Sequence, residues 1–119
     1  MGIIMRYWLI TDTHLGHKAM VRMCGRPENF DRLIMEGWKK CVQANDMVIH
    51  LGDAAWDDEH LKKLVRLPGR KILVRGNHDK KSLQVYMEMG FSMACDAFMM
   101  KLGNVSILFS HWPRYGHSY

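Results

Sequence analysis

The sequence predicts a layered α/β sandwich in one domain over residues 1–119, and three observations carry that expectation. Short apolar runs alternate with segments of helical periodicity, a pattern that belongs to a mainly parallel sheet. A hairpin pattern follows only late in the chain, and it reads as the start of a second sheet. Four strand ends also carry Asp, Asn or His. Ligands of open α/β sheets bind in the crevice beyond the carboxyl ends of the strands, so polar residues gathered there point to a site.

The elements follow in order. Tyr7 to Thr11 reads as a buried strand, ending in Asp12-Thr13-His14-Leu15-Gly16-His17. Asp12 and His14 are two apart, so an extended backbone turns both to one side, as two ligands of one metal ion require. Lys18 to Cys24 reads as a short helix closed by Gly25 and Pro27; His17 either faces the cleft and meets a phosphate or caps this helix. Leu33, Ile34, Trp38, Cys41 and Val42 place an amphipathic helix over Phe30 to Val42, with Asn29 as its N-cap. Met47 to Leu51 is a second strand that runs into Gly52-Asp53. The stripe Leu61, Leu64, Val65, Leu67 marks another helix, whose positive amino end suits Asp57, Asp58 and Glu59.

Pro68-Gly69 stops that helix, and Arg70-Lys71 lead into the strand Ile72-Leu73-Val74. Arg75 and then Gly76-Asn77-His78-Asp79 follow at its end. An amide, an imidazole and a carboxylate in succession can provide a metal ligand, a proton donor and the group that orients it. Leu83, Val85, Tyr86 and Met89 fit a further helix ended by Gly90. Met93 to Leu102 and Val105 to Phe109 then flank Gly103-Asn104 as the arms of a hairpin, and Ser110-His111-Trp112-Pro113 closes it.

Composition narrows the classes. A net charge of +5 and a pI near 9.3 suit a polyanionic substrate or nucleic acid. Aromatic residues are not interleaved with basic ones as a stacking platform for single strands would need, so nucleic acid has only the charge in its favour. Cys24, Cys41 and Cys95 form no CxxC pair and read as reduced thiols, which with the lack of a long apolar run predicts a cytoplasmic protein without a membrane partner. The eleven Met residues read as core filler. Gathered along one edge, Asp12, His14, Asp53, Asn77, His78, Asp79 and His111 form a mixed carboxylate, imidazole and amide set. Such donors suit manganese, iron or zinc, and the lack of thiolate argues against a structural zinc.

With Asp12-Thr13-His14, Gly52-Asp53, Gly76-Asn77-His78-Asp79 and His111 in this order, the sequence resembles the calcineurin-like metallophosphoesterases. Asp-Thr-His-Leu-Gly-His and Ser-His-Trp-Pro are similar to the small stand-alone phosphohydrolases of bacteria and phage. The resemblance implies two divalent metal ions, manganese first, with iron, zinc or nickel as alternatives. It implies that Asp12 and His14 bind one ion, that Asp53 bridges, and that Asn77 and His111 bind the other. His78, oriented by Asp79, would protonate the oxygen that leaves as a metal-bridging hydroxide attacks in line. His17, Arg75 and His117 are candidates for substrate contact or an extra ligand.

The family's closing GHxH block has no full copy, because Gly116-His117-Ser118 is followed by Tyr119. The expectation is a chain truncated at its carboxyl end relative to the family, each metal short of one imidazole, and an uncovered sheet edge open to self-association. The expected function is a phosphoesterase acting on a phosphorylated small molecule. The alternatives are a catalytically silent binding module on the same fold and a nuclease.

Overall fold

A computed structural model describes residues 4–113. Its elements in chain order are β1 (Tyr7–Ile10), α1 (Ala19–Cys24), α2 (Phe30–Cys41), β2 (Met47–His50), α3 (Asp58–Arg66), β3 (Arg70–Val74), α4 (Leu83–Met89), β4 (Met93–Cys95), β5 (Ala97–Leu102) and β6 (Val105–Ser110). The first four strands form a parallel sheet in the order β1-β2-β3-β4, and β5 and β6 form a separate antiparallel pair. The layered α/β architecture is thus present, with a mostly parallel sheet and a second sheet made by the late hairpin. Among the described residues no helix is long and apolar enough to cross a membrane.

Alternation along the central strands makes the layers. Val48 on β2 and Leu73 on β3 turn to one face, where they pack with Trp38 of α2, Leu61 and Leu64 of α3, and Tyr86 of α4. Their neighbours Ile49 and Val74 turn the other way and meet Phe109 of β6, with Phe98 and Met100 of β5 packed alongside. Phe98 and Phe109 are paired across the hairpin and stack with ring centres 5.0 Å apart. The hairpin covers β2 and β3 but not β1. Leu9, in register with Ile49, stays 60% exposed while Ile49 is 1% exposed.

Two local readings are corrected. Met93 to Leu102 is not one hairpin arm. The chain bends at Asp96, so that Met93–Cys95 extends the parallel sheet and Ala97–Leu102 starts the second one. The bend is pinned by Arg75, whose Nε and Nη2 donate to the two Asp96 carboxylate oxygens at 2.8 and 3.0 Å while its backbone N–H donates to Cys95 O. Period-two alternation is the same on both sides of such a bend, so the pattern alone does not reveal it. Asn29 makes no capping hydrogen bond, whereas the Asp57 carboxylate accepts the His60 N–H at 2.8 Å and caps α3.

Lys71 does more than lead into a strand. It is buried, and its ammonium donates to the carbonyls of Val65, Leu67 and Gly69. These carbonyls close the end of α3 and its exit turn, although burial pushes the amine down to about 8.

The contrast across one register pair gives a direct test. Ile49→Ala is expected to cost about 2–5 kcal/mol of unfolding free energy, as deletions in a filled core do. Leu9→Ala, on the uncovered side of the same face, is expected to cost under about 1 kcal/mol, within the range of surface changes. Urea denaturation of both variants checks it; equal losses would mean that β1 is covered as β2 is.

Candidate metal centre

Among the described residues, three non-glycine residues have positive φ: Asp12 at 54°, His14 at 47° and Asp53 at 56°. A left-handed conformation at such residues is strained by about 1–3 kcal/mol each, and strain of this kind collects where function demands it. The backbone around them is held firmly. Asp12 N–H donates to Gly52 O at 2.9 Å, His14 N–H to Asp53 O at 3.0 Å and Leu15 N–H to Ala54 O at 3.1 Å. The loops after β1 and β2 therefore run together as a ladder, and Arg26 braces it by donating to the carbonyls of Thr13 and Asp12 at 2.8 and 2.6 Å.

The loop after β3 joins them through Asp79. Its carboxylate accepts the backbone N–H groups of Asp53 at 2.7 Å, Ala54 at 3.1 Å and Gly76 at 2.7 Å. This corrects the expected role: Asp79 makes no hydrogen bond to the His78 ring and instead ties the loop that carries Asp53. Gly52 and Gly76 allow the close approach. At Gly52, φ is +108° and a Cβ would lie 2.7 Å from Gly76 N; at Gly76 a Cβ would lie 2.9 Å from Asp53 N and from His111 Nδ1.

The Asp53 carboxylate is the meeting point. Oδ1 accepts the His78 backbone N–H at 2.9 Å, and Oδ2 lies 3.0 Å from His78 Nδ1, 3.5 Å from His111 Nε2 and 3.6 Å from His14 Nε2. Two sets of donors converge within 4.8 Å: His14, Asp53 and His78 form one, and Asp12, Asp53 and His111 the other. Asp53 belongs to both. Asp12 Oδ1 is also 3.5 Å from His14 Nε2, so the two sets adjoin. Asn77 is exposed in the turn between Gly76 and His78.

The protonation states suit a cation. Burial works to raise the Asp53 carboxyl, but the His78 backbone and ring bonds and the nearby His111 together carry it below the usual carboxylate range. Burial lowers His14 more than Asp53 and Asp12 raise it, which favours the neutral imidazole that ligates metals. His111 Nδ1 faces Leu51 O at 2.6 Å; a carbonyl only accepts, so Nδ1 carries a proton and Nε2 is the nitrogen turned towards Asp53. The donor set therefore fits one or two divalent ions.

The remaining predicted residues separate. His17 does face the site: its Nδ1 is 3.2 Å from His14 Nδ1, and its ring stacks on Trp56 with centres 4.0 Å apart. Arg75 is engaged by Asp96 and the Lys81 carbonyl, which hold its guanidinium at the bend after β4. His117 lies outside the described residues.

Sequence reasoning missed Arg26, Trp56 and the pair Thr13–His50. The Thr13 hydroxyl donates to Ala54 O at 2.6 Å and lies 2.9 Å from His50 Nε2, while His50 Nδ1 accepts from Gly52 N–H at 3.0 Å. His50 is thus the Nε2–H tautomer, neutral and fully used as a brace under both loops. A histidine inside an otherwise apolar strand was the available signal.

Comparison with known proteins agrees with the fold. The family model for calcineurin-like phosphoesterases matches residues 5–118. The Methanocaldococcus jannaschii protein MJ1445 is 34% identical over 63% of this chain, and the gene 66 protein of Mycobacterium phage L5 is 27% identical over 92% of it. The crystal structure of protein AQ665 from Aquifex aeolicus superimposes with a TM-score of 0.82 at 32% identity over 92% of the chain. The chain spans 47% and 64% of the first two proteins and 62% of the third.

The brace has a pH signature. Burial lowers His50 from 6.5 to about 4, so between these values the unfolded chain binds a proton that the folded chain refuses. Stability is retained above pH 6.5 and falls as pH drops towards 4, by roughly 3 kcal/mol at the limit for this group. His50→Asn, which keeps a donor and an acceptor but does not titrate, is expected to flatten that part of the slope. Urea unfolding at a series of pH values in chelator checks it; identical slopes in both proteins would contradict the assignment.

Proposed function

The chain belongs to the calcineurin-like phosphoesterase family, and from that premise we propose that it is a metal-dependent hydrolase of phosphate esters. The observation that carries this reading is the shared carboxylate of Asp53, placed in both donor sets with imidazoles on three sides. Asp12, His14, Asp53, Asn77 and His111 would hold two divalent ions; their mixed oxygen and nitrogen donors suit manganese, iron or zinc, and the family resemblance puts manganese first. Such ions neutralise charge on phosphoryl oxygens and make water a competent nucleophile near neutral pH.

The chain's own part in the reaction falls to His78. Its side chain is 42% exposed, so it reaches the cleft, while its Nδ1 sits 3.0 Å from Asp53 Oδ2. The contact fixes the ring with Nδ1 as the site of one proton and leaves Nε2 to carry the other in the imidazolium. As the water oxygen bonds to phosphorus and the ester P–O bond breaks, that second proton passes to the departing oxygen and spares it a full negative charge. Asp53 is thus both a proposed ligand and the group that orients the acid, a role first given to Asp79.

The test is a leaving-group series on His78→Ala. Turnover of alkyl phosphates should fall about 10²–10⁴-fold, the usual contribution of a general acid. Hydrolysis of a nitrophenyl phosphate, whose departing oxygen needs little help, should fall far less, with metal content by elemental analysis unchanged. Equal losses across the series would remove the proton-donor role, and loss of metal would make His78 a ligand instead.

A further inference from the structure

Beside His78 lies a shallow pocket of about 110 Å³ that the hydrolytic reading does not use, lined by Trp56, Leu61, Lys80, Lys81 and Tyr86 together with His78 itself. Its wall is unusual. Trp56 is 58% exposed, yet it does not hang free. One face stacks on His17 at 4.0 Å and 11°, and His17 in turn meets His14 at 3.2 Å. The backbone beneath is fixed by the Leu15–Ala55 bridge and by Trp56 N–H donating to Leu15 O at 2.8 Å. A large aromatic surface is therefore presented beside the metal centre with little left to lose on binding.

The side on which it stands identifies what it would touch. The pocket shares His78, and His78 is proposed to hand its proton to the departing oxygen, so this pocket is where the group on that oxygen extends. Lys81 is anchored there by Asp58 at 2.7 Å, and Asp57, Asp58 and Asp79 line the pocket beside Lys80 and Lys81, so acidic and basic groups mix and the choice of a ring rests on the exposed Trp56 face.

We propose that Trp56 is a specificity-determining residue that stacks a planar aromatic ring carried by the leaving group, so that preferred substrates are phosphate esters bearing an aryl ring or a nucleobase. The inference rests on the phosphoesterase reading for the position of the leaving group. Benzyl phosphate and cyclohexylmethyl phosphate probe it, because they differ in ring flatness but leave as similar alkoxides. A second pair, adenosine 5′-monophosphate and ribose 5-phosphate, separates a nucleobase from a simple aryl source.

In the Mn²⁺-loaded protein, the ratio of kcat/KM for benzyl over cyclohexylmethyl phosphate should fall about tenfold in Trp56→Ala, mainly through KM, and recover in Trp56→Phe. A matching fall for the nucleotide pair alone would assign the wall to nucleobases, and one for the benzyl pair alone to small aryl groups. Unchanged ratios in both pairs, or a loss that Phe does not rescue, would overturn the proposal. If no ester is turned over, the hydrolytic reading fails and calorimetric binding decides. Tighter binding of the aromatic member, erased by Trp56→Ala, upholds the aromatic wall, and equal binding ends it.

Discussion

Oδ2 of Asp53 lies within 3.0–3.6 Å of nitrogens from His78, His111 and His14, and the surrounding structure works to keep it there. The residue sits in a strained left-handed conformation at φ 56°. What holds it is the Asp79 carboxylate, which takes the N–H groups of Asp53 and Ala54 from one loop and of Gly76 from the next. Bonds from backbone N–H to a charged acceptor contribute about 1.5–3 kcal/mol each, enough in sum to offset the strain. The arrangement also needs two glycines, since a side chain at Gly52 or Gly76 would collide with the facing loop or with His111. Shape and electrostatics thus serve one carboxylate.

The donors come from both sheets. Asp12, His14, Asp53 and His78 follow strands of the parallel sheet, whereas His111 arrives at the end of β6. Its position depends on Phe109, two residues earlier, packing on Ile49 and Val74. Its orientation depends on Leu51 O, which fixes the proton on Nδ1. The apolar contact between the two sheets is therefore also what delivers a candidate ligand.

Much of this was legible in the sequence because polar residues placed where strands end break an otherwise apolar pattern. That signal located Asp12, His14, Asp53, His78 and His111 and predicted the layered fold. It failed where partners are chosen in three dimensions. Asp79 stands next to His78 in sequence, but its carboxylate reaches across to the Asp53 loop, a contact 26 residues away. Arg75 stands beside the motif but is consumed by Asp96. The bend at Asp96 hid because strands on either side of it alternate alike. Trp56 carries no motif or periodicity that marks it in the sequence, and only the stack on His17 shows that it is held in place.

The central claim is that Asp53 serves two cations at once, and metal stoichiometry tests it most directly. After equilibrium dialysis against Mn²⁺, elemental analysis of the unaltered chain should find about two ions per chain, as two-metal centres of this kind hold. Asp12→Asn, which alters one donor set, should weaken one of them, whereas Asp53→Asn should release both. An Asp53→Asn protein that stays folded and loses no more metal than Asp12→Asn would contradict the account.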